Sequence, residues 1–390
     1  MEDEPRSVLY ATSARIGGVG LDAVAYETLR GISDRLGRAV AYGVRSTDFD
    51  RRKLLTLDWH PVRLLSGLDR KFYYGAKKKA LDHVASGLIR QGNFDLFHGW
   101  SGEALHSLRA AKERGVPSVL EIPTWHRHKG NLVPPKTDKE IAMENAPIPE
   151  RWLNRLLVSR QQSLEEYELA DLLLVLSEKA EETFRFAGFA KNKLFRMSRG
   201  VNVDRFHPGK RPDTFRALFV GALIKRKGVH LLVEAWKKLQ LPQAELWLVG
   251  YPHPEMEPYL RDLPGSIKIL GFHRQVEELY RQGTVFVFPS ECEGSAKATY
   301  EAAASGLAQI STRESGDVVV DGLNGMIIPA NNAEAICEAL LTLFKNPDIC
   351  ERMGQAGRDR VVQHFTWDHF RRRSLEAYQG AMAVRQPQRV

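Results

Sequence analysis

The chain has 390 residues, 43% hydrophobic and 27% charged, with a mean hydropathy of −0.33. That is ordinary globular composition, long enough for two buried cores, and it excludes disordered, collagenous and disulfide-scaffold classes. The 56 Lys and Arg against 48 Asp and Glu give +8 and a pI near 9.3, which admits nucleic acid, phosphate-bearing substrates or an anionic membrane leaflet as partners without choosing among them.

In chain order, short apolar runs alternate with glycine turns and longer amphipathic stretches, the pattern of parallel sheets covered by helices. Ser7–Thr12 reads as a strand, Gly17–Gly20 as a turn and Leu21–Leu36 as a helix; strands follow at Ala39–Val44, Leu96–His98, Ser118–Ile122 and Leu172–Leu176. Asp204–Pro212 is polar and rich in Pro and Gly, a hinge candidate. The series then restarts. Strands are expected at Ala217–Val220, Glu245–Val249, Ile267–Leu270, Val285–Phe288, Gln309–Ser311 and Gly325–Ile328, with helices at Val229–Leu239, Glu277–Arg281 and Thr299–Ser305. The expected fold is α/β, two Rossmann-like doubly wound domains facing across a cleft. Residues 1–204 form one domain, 205–365 the second, and 366–390 a terminal helix crossing back to the first.

Cys292, Cys337 and Cys350 offer no disulfide framework and no C-x-x-C spacing, which favours a reducing compartment. The N-terminus is acidic where a secretory signal is basic, and no apolar run approaches the ~20 residues that span a bilayer. A cytoplasmic protein is expected.

The segment from Pro289 to Gly306 follows an apolar strand and enters a helix whose first N–H groups form a seat for phosphate. Glu293 precedes that helix and Glu301 lies within it; at 1.5 Å per residue the two are about 12 Å apart if fully helical, a spacing that fits the sugar and ribose ends of a nucleotide-sugar. Carboxylates accept well from vicinal hydroxyls. The spacing alone fits two solvated glutamates equally well. A second strand, turn and helix start carries Gly221, Ala222, Lys225, Arg226, Lys227 and Gly228, where three consecutive cations suit a diphosphate or a solvated face.

Together with Gly17–Gly20, the run Arg199–Pro208 and the Leu270-Gly271-Phe272 triplet, these motifs lie in an order that resembles the retaining glycosyltransferases of family 4 (GT4), which have the GT-B fold; the likeness covers nearly the whole chain. The resemblance implies transfer of a sugar from a nucleotide-diphosphate sugar, UDP or GDP first, to a hydroxyl acceptor in polysaccharide or glycolipid synthesis. It implies donor contacts from Glu293 to the sugar, Glu301 to the ribose, backbone amides of Gly294, Ser295 and Ala296 to sugar and phosphate, and Lys227, with Gly221, Lys225 and Arg226 beside it, to the diphosphate. Phe272 and His273 fall at the base, Gly18 near the diphosphate and acceptor, and His126 near the reacting carbon. The catalytic set is then His126, Lys227 and Glu293, with Glu293 positioning the sugar rather than attacking it. Without the resemblance, Gly17–Gly20 is a tight turn and His126 a hydrogen-bonded structural histidine.

The resemblance has two departures: Ala222 stands where relatives usually carry Arg, and Gly294-Ser295-Ala296 where many carry Gly-Phe-Gly. No metal or other cofactor is implied, since lysines and helix amides would neutralise the phosphates; Asp48-Phe49-Asp50 has a metal-binding spacing, but lies in an arginine-rich stretch. A sugar-nucleotide epimerase or a noncatalytic GT-B subunit is the alternative. Nucleic acid is not expected, because no recognised nucleic-acid motif is present.

From Arg51 to Lys79 there are nine Lys and Arg against two Asp, with Trp59, Phe72, Tyr73 and Tyr74 among them. That composition suits a lipid-linked acceptor or peripheral contact with the anionic inner face of a membrane, and equally a solvated helix face. A growing glycan is the other acceptor class.

Overall fold

In a computed structural model, which describes residues 4–45, 48–129, 131, 136, 138–210 and 212–385, the chain forms two compact units. The first comprises Met1–Val175, Ala180–Met197 and Phe370–Val390; the second comprises Leu176–Lys179 and Ser198–His369.

Seven parallel strands form the first sheet: β1 (Val8–Ile16), β2 (Leu36–Val44), β3 (Leu54–Thr56), β4 (Leu96–Trp100), β5 (Ser118–Glu121), β6 (Leu172–Val175) and β7 (Leu194–Arg196), in the order β3-β2-β1-β4-β5-β6-β7. Helix α1 (Leu21–Gly31) follows β1, and α2 (Arg70–Gln91) precedes β4. The expected helix Leu21–Leu36 is therefore too long. It ends at Gly31, and Leu36 already opens β2, paired with Val8. From Phe370 the terminal helix Trp367–Arg385 packs in this unit, where the Tyr378 hydroxyl lies 2.8 Å from Nδ1 of the buried His98 and Arg371 pairs with Glu27.

The second sheet holds β8 (Phe215–Val220), β9 (Ala244–Val249), β10 (Ile267–Gly271), β11 (Val285–Phe288), β12 (Ala308–Ser311) and β13 (Gly325–Ile327), all parallel, in the order β10-β9-β8-β11-β12-β13. Helices on both faces bury the central strands, so all four residues of β11 are inaccessible. That double burial is why the strands read as continuous apolar runs rather than alternating ones. Asp204–Phe206, at the start of the hinge candidate, belongs to this unit: Phe206 is in its core, and Arg358 donates to the carbonyls of Val203 and Phe206 at 3.0 and 2.7 Å. Arg211 of that candidate, and residues 1–3 and 386–390 of the expected domains, lie outside the described residues.

Candidate functional site

After β8 the chain turns through Gly221 and makes one 3₁₀ turn, Lys225–Lys227, before helix Val229–Leu239. Gly228 closes the turn at φ 70°, and a Cβ there would lie 2.2 Å from the carbonyl oxygen of Pro289. Glycine is what lets this turn lie directly on the loop after β11. The two segments are then stitched together, because the Arg226 carbonyl accepts from Glu291 N–H at 2.9 Å and from the Ser290 hydroxyl at 3.1 Å.

That stitching brings three of the expected residues into contact. Lys227 Nζ donates to Glu293 Oε1 at 2.7 Å, and Arg226 donates to the same oxygen at 2.9 Å and also to the Cys292 carbonyl. The Ser290 hydroxyl, its one proton shared with the Arg226 carbonyl, lies 3.3 Å from the same Glu293 oxygen, and Glu293 N–H is anchored on Glu314 O at 2.9 Å. The Lys227 ammonium also lies 4.7 Å over the Phe288 ring. Lys225 goes elsewhere: its N–H donates to Glu255 and its ammonium sits 4.9 Å over Tyr259.

Helix Lys297–Ala304 starts two residues before the expected Thr299. Of the three loop amides expected to face a ligand, that of Ala296 is committed to Ser315 O at 2.8 Å, whereas those of Gly294 and Ser295 donate to no acceptor among the described residues. The Ser295 hydroxyl pairs with Tyr300 at 2.8 Å. Glu301 accepts from the buried Tyr280 hydroxyl at 3.2 Å, and Lys297, one helical turn earlier, approaches it to 3.5 Å. Phe272 and His273 are exposed beyond β10; Phe272 stacks on Tyr251, with centroids 6.1 Å apart and planes 10° from parallel. Ser290, Tyr280, Lys297 and Tyr251 were not among the residues singled out from sequence. Only Lys297 carried a legible signal, the Lys–Glu spacing of one helical turn.

In the first unit Gly18 has φ 127° beside Asp22, whose carboxylate accepts from Arg15 N–H at 3.0 Å. His126 is only 2% exposed, among the rings of Tyr167, Phe184 and Phe189. Its N–H donates to Thr183 at 3.1 Å and its Nδ1 accepts from His128 N–H at 3.1 Å. His126 and His128 line a cavity of about 490 Å³ together with Glu165, Glu168, Phe186 and Phe189. Burial first, and then the neighbouring His128, draws His126 down to about 4. An unfolded histidine titrates near ~6.5, so as pH falls from 6.5 to 4 the unfolded chain takes up a proton that the native site refuses, and stability drops. Burial raises Glu166 to about 7, which works in the opposite direction. The contribution of His126 is therefore read as a difference: in urea titrations at pH 7.5 and 5.0, His126→Gln is expected to lose less stability on acidification than the wild type.

Asp48 accepts from Tyr26 at 2.6 Å and Asp50 caps the Arg51–Lys53 turn through Arg52 N–H at 2.9 Å, so the Asp48-Phe49-Asp50 carboxylates serve local structure. Among the described residues no three His, Cys, Asp or Glu are grouped as a metal site.

Residues 214–346 match the family described as "Glycosyl transferases group 1". The chain is 25% identical over 315 residues to alpha-maltose-1-phosphate synthase of Mycobacterium tuberculosis, covering 74% of each chain, and 26% identical over 330 residues to D-inositol 3-phosphate glycosyltransferase of Kribbella flavida, covering 76% of this chain and 74% of that one. Over about three quarters of its length the chain is thus similar to glycosyltransferases, and residues 214–346 match the group 1 family itself. Against an uncharacterized glycosyltransferase of Methanocaldococcus jannaschii, identity is 28% over 46% of this chain, and the match spans about half (51%) of that relative's length. Solved structures carry the GT-B fold across the chain: sucrose-phosphate synthase of Thermosynechococcus elongatus has a TM-score of 0.66 at 18% identity, covering 94% of this chain and 96% of that one. Anabaena HepE in complex with UDP-glucose has a TM-score of 0.65 at 16% identity, covering 95% and 98%. The expected α/β, GT-B architecture is thus found. Gly221, Lys225–Lys227, Phe272 and Glu293–Glu301 all fall within the matched family region, while Gly18 and His126 lie outside it.

Proposed function

We propose that this chain transfers a sugar, with retention of anomeric configuration, from a nucleotide-diphosphate sugar to a hydroxyl acceptor. The observation that carries the reading is the convergence of Lys227 and Arg226 on the Glu293 carboxylate at the entrance to helix Lys297–Ala304. Two cations held beside one carboxylate suit a ligand with a diphosphate at one point and sugar hydroxyls at the next. HepE, of like fold, binds UDP-glucose.

In this reading Glu293 accepts from the sugar hydroxyls, Lys227 and Arg226 offset the charge that grows on the leaving diphosphate, and Glu301 accepts from the ribose. The Gly294 and Ser295 amides face sugar and phosphate, and the Tyr251–Phe272 stack borders the base. Arg226 supplies the guanidinium that Ala222 lacks. Gly18 lies near the diphosphate and His126 near the reacting carbon. Cleavage of the anomeric C–O bond is the slow event, so stabilising the leaving group and placing the acceptor on the same face are what lower the barrier. UDP and GDP are the preferred nucleotides. A thermal-shift screen with UDP-, GDP- and ADP-sugars tests donor binding: one of them raises the melting temperature through mass action, and no shift with any contradicts the reading.

Cationic side chains and loop amides neutralise the phosphates without a divalent ion. Turnover is accordingly expected to survive EDTA; loss of activity on chelation with rescue by manganese would overturn that.

The acceptor side of the proposal includes contact with an anionic membrane face. Trp59, Leu64 and Tyr74 are 63%, 87% and 43% exposed among the cations of Arg51–Lys79, an apolar and basic combination that suits an interfacial site. No helix among the described residues is long and apolar enough to cross a membrane. Flotation with phosphatidylglycerol vesicles is expected to recover the protein at low salt and to lose it at high salt; equal recovery with pure phosphatidylcholine would contradict the electrostatic part.

A further inference from the structure

The first unit holds a buried cation that the donor chemistry does not use. Lys77 lies in the second turn of α2 and is only 5% exposed, yet among the described residues its ammonium makes no hydrogen bond and meets no carboxylate at ion-pair distance. It sits instead between two aromatic rings, 3.7 Å from the centroid of Tyr42 and 4.5 Å from that of Tyr74. The Arg15 guanidinium lies 5.6 Å from the same Tyr42 ring. Tyr42 is held in place by its hydroxyl contact with Tyr73.

The neighbouring carboxylates are already engaged. Glu103 accepts from Ser13 N–H at 2.7 Å and pairs with Lys78 at 3.5 Å, while Asp22 accepts from Arg15 N–H at 3.0 Å and pairs with Arg45 at 3.8 Å. Lys77 therefore remains as surplus positive charge, stripped of most of its water. Aromatic faces only partly replace that water, and Glu103 and Asp22, shared with Lys78 and Arg45, offset the charge only from a distance, so the site favours an anion. Burial lowers Lys77 to about 8, with Arg15 and Lys78 adding to the shift and the nearby Glu103 and Asp22 working against it, which leaves it mainly charged at neutral pH. Arg15 and Tyr42 lie within the last three residues of β1 and β2, at the carboxyl ends of parallel strands, where open α/β sheets bind their ligands.

We infer that Lys77 and Arg15, flanked by Tyr42 and Tyr74, form an acceptor subsite for a phosphate group, so that the hydroxyl compound glycosylated by this chain carries a phosphate. The inference rests on the proposal that the first unit binds the acceptor. The phosphate belongs either to a small soluble compound or to a lipid headgroup; the chemistry at Lys77 is the same.

Calorimetry on the full chain, with the donor site filled by whichever of UDP and GDP stabilises it, tests the subsite with inorganic pyrophosphate as the soluble probe and with phosphatidic acid in phosphatidylcholine vesicles as the lipid probe. Binding to at least one probe is expected. Pyrophosphate binding assigns a soluble acceptor, and binding to the vesicles alone assigns a lipid. Lys77→Met is expected to weaken that binding at least tenfold and Arg15→Gln several-fold, with Lys77→Arg retaining most of it and nucleotide affinity unchanged in all three. Because Lys77 is buried and Arg15 exposed, Arg15→Gln keeps the test open if Lys77→Met does not fold. A wild type that binds the nucleotide but neither probe overturns the subsite, as do folded variants that bind the probes like the wild type. A wild type that binds no nucleotide but binds a probe, with that binding weakened in Lys77→Met or Arg15→Gln, leaves the subsite standing and sinks the donor reading instead.

Discussion

Lys227→Met is expected to lower kcat/KM by roughly 10²–10³, the range seen when one preorganised group that stabilises developing charge is removed. Its ammonium is held at 2.7 Å from Glu293 and its side chain is only 15% exposed, so its field is weakly screened. Arg226 contacts the same carboxylate from a side chain 43% exposed, and its removal is expected to have a smaller effect, about tenfold. Lys225→Ala should change kcat/KM less than about twofold, because that ammonium is turned to Tyr259. Steady-state kinetics on the three variants separate these outcomes. Equal losses for Lys225 and Lys227 would contradict the assignment of Arg226 and Lys227 to the leaving group. The mutation also frees one partner of a carboxylate, so the measurement includes nucleotide affinity, which reports whether Glu293 has kept its place.

Gly228→Ala is the second large effect, and it acts on the frame of the site. The residue has φ 70°, a left-handed conformation that an L side chain resists, and its Cβ would lie 2.2 Å from Pro289 O. Backbone strain of that kind costs about 1–3 kcal/mol, and the clash adds to it, because the contact is with main chain that cannot rotate away. A loss of about 2–4 kcal/mol corresponds to a fall of roughly 5–15 °C in the melting of the second unit. Donor binding should weaken with it, since the same approach holds Ser290 and Glu291 on the Arg226 carbonyl. Calorimetric melting together with nucleotide titration checks both. A variant that melts like the wild type would show that the 225–228 turn does not need glycine there.

Much of the fold is legible in the sequence because buried parallel strands are written as uninterrupted apolar runs; Val285–Phe288 is a strand with the expected bounds, and helix Val229–Leu239 ends where the amphipathic pattern does. The three-residue strands β3 and β7 are not legible, because they lie at the two edges of the sheet, are only partly buried, and are fixed by the neighbour each pairs with rather than by an apolar run of their own. The overlong first helix has a similar origin: the stretch after Gly31 keeps helix-compatible residues, but Leu36 is claimed by pairing to Val8. Within the candidate site, spacing alone left the glutamates and the cations open and the resemblance singled out Lys227 and Glu293, because three consecutive cations at 225–227 look alike in one dimension. Only the 3₁₀ turn separates them, sending Lys225 to Tyr259 and the other two to Glu293. Ser290, Tyr280 and Tyr251 were invisible for a related reason. Their roles come from loops and strand ends brought together across long stretches of sequence, as when Tyr280 reaches Glu301 and Tyr251 stacks on Phe272. Lys77 is the sharpest case, since in sequence it is one lysine of a basic run, and burial between Tyr42 and Tyr74 is what distinguishes it.

The central claim is transfer of the sugar itself, and following isotopically labelled sugar tests it most directly. The purified chain is incubated with the nucleotide-sugar that stabilises it, labelled in the sugar, and with a panel of phosphorylated polyols and phosphate-bearing lipids. The account predicts that label leaves the nucleotide and appears on a member of the panel with the anomeric configuration of the donor, and that Lys227→Met removes this signal. Label that stays on the nucleotide, whether unchanged or converted to an epimeric sugar, would contradict it.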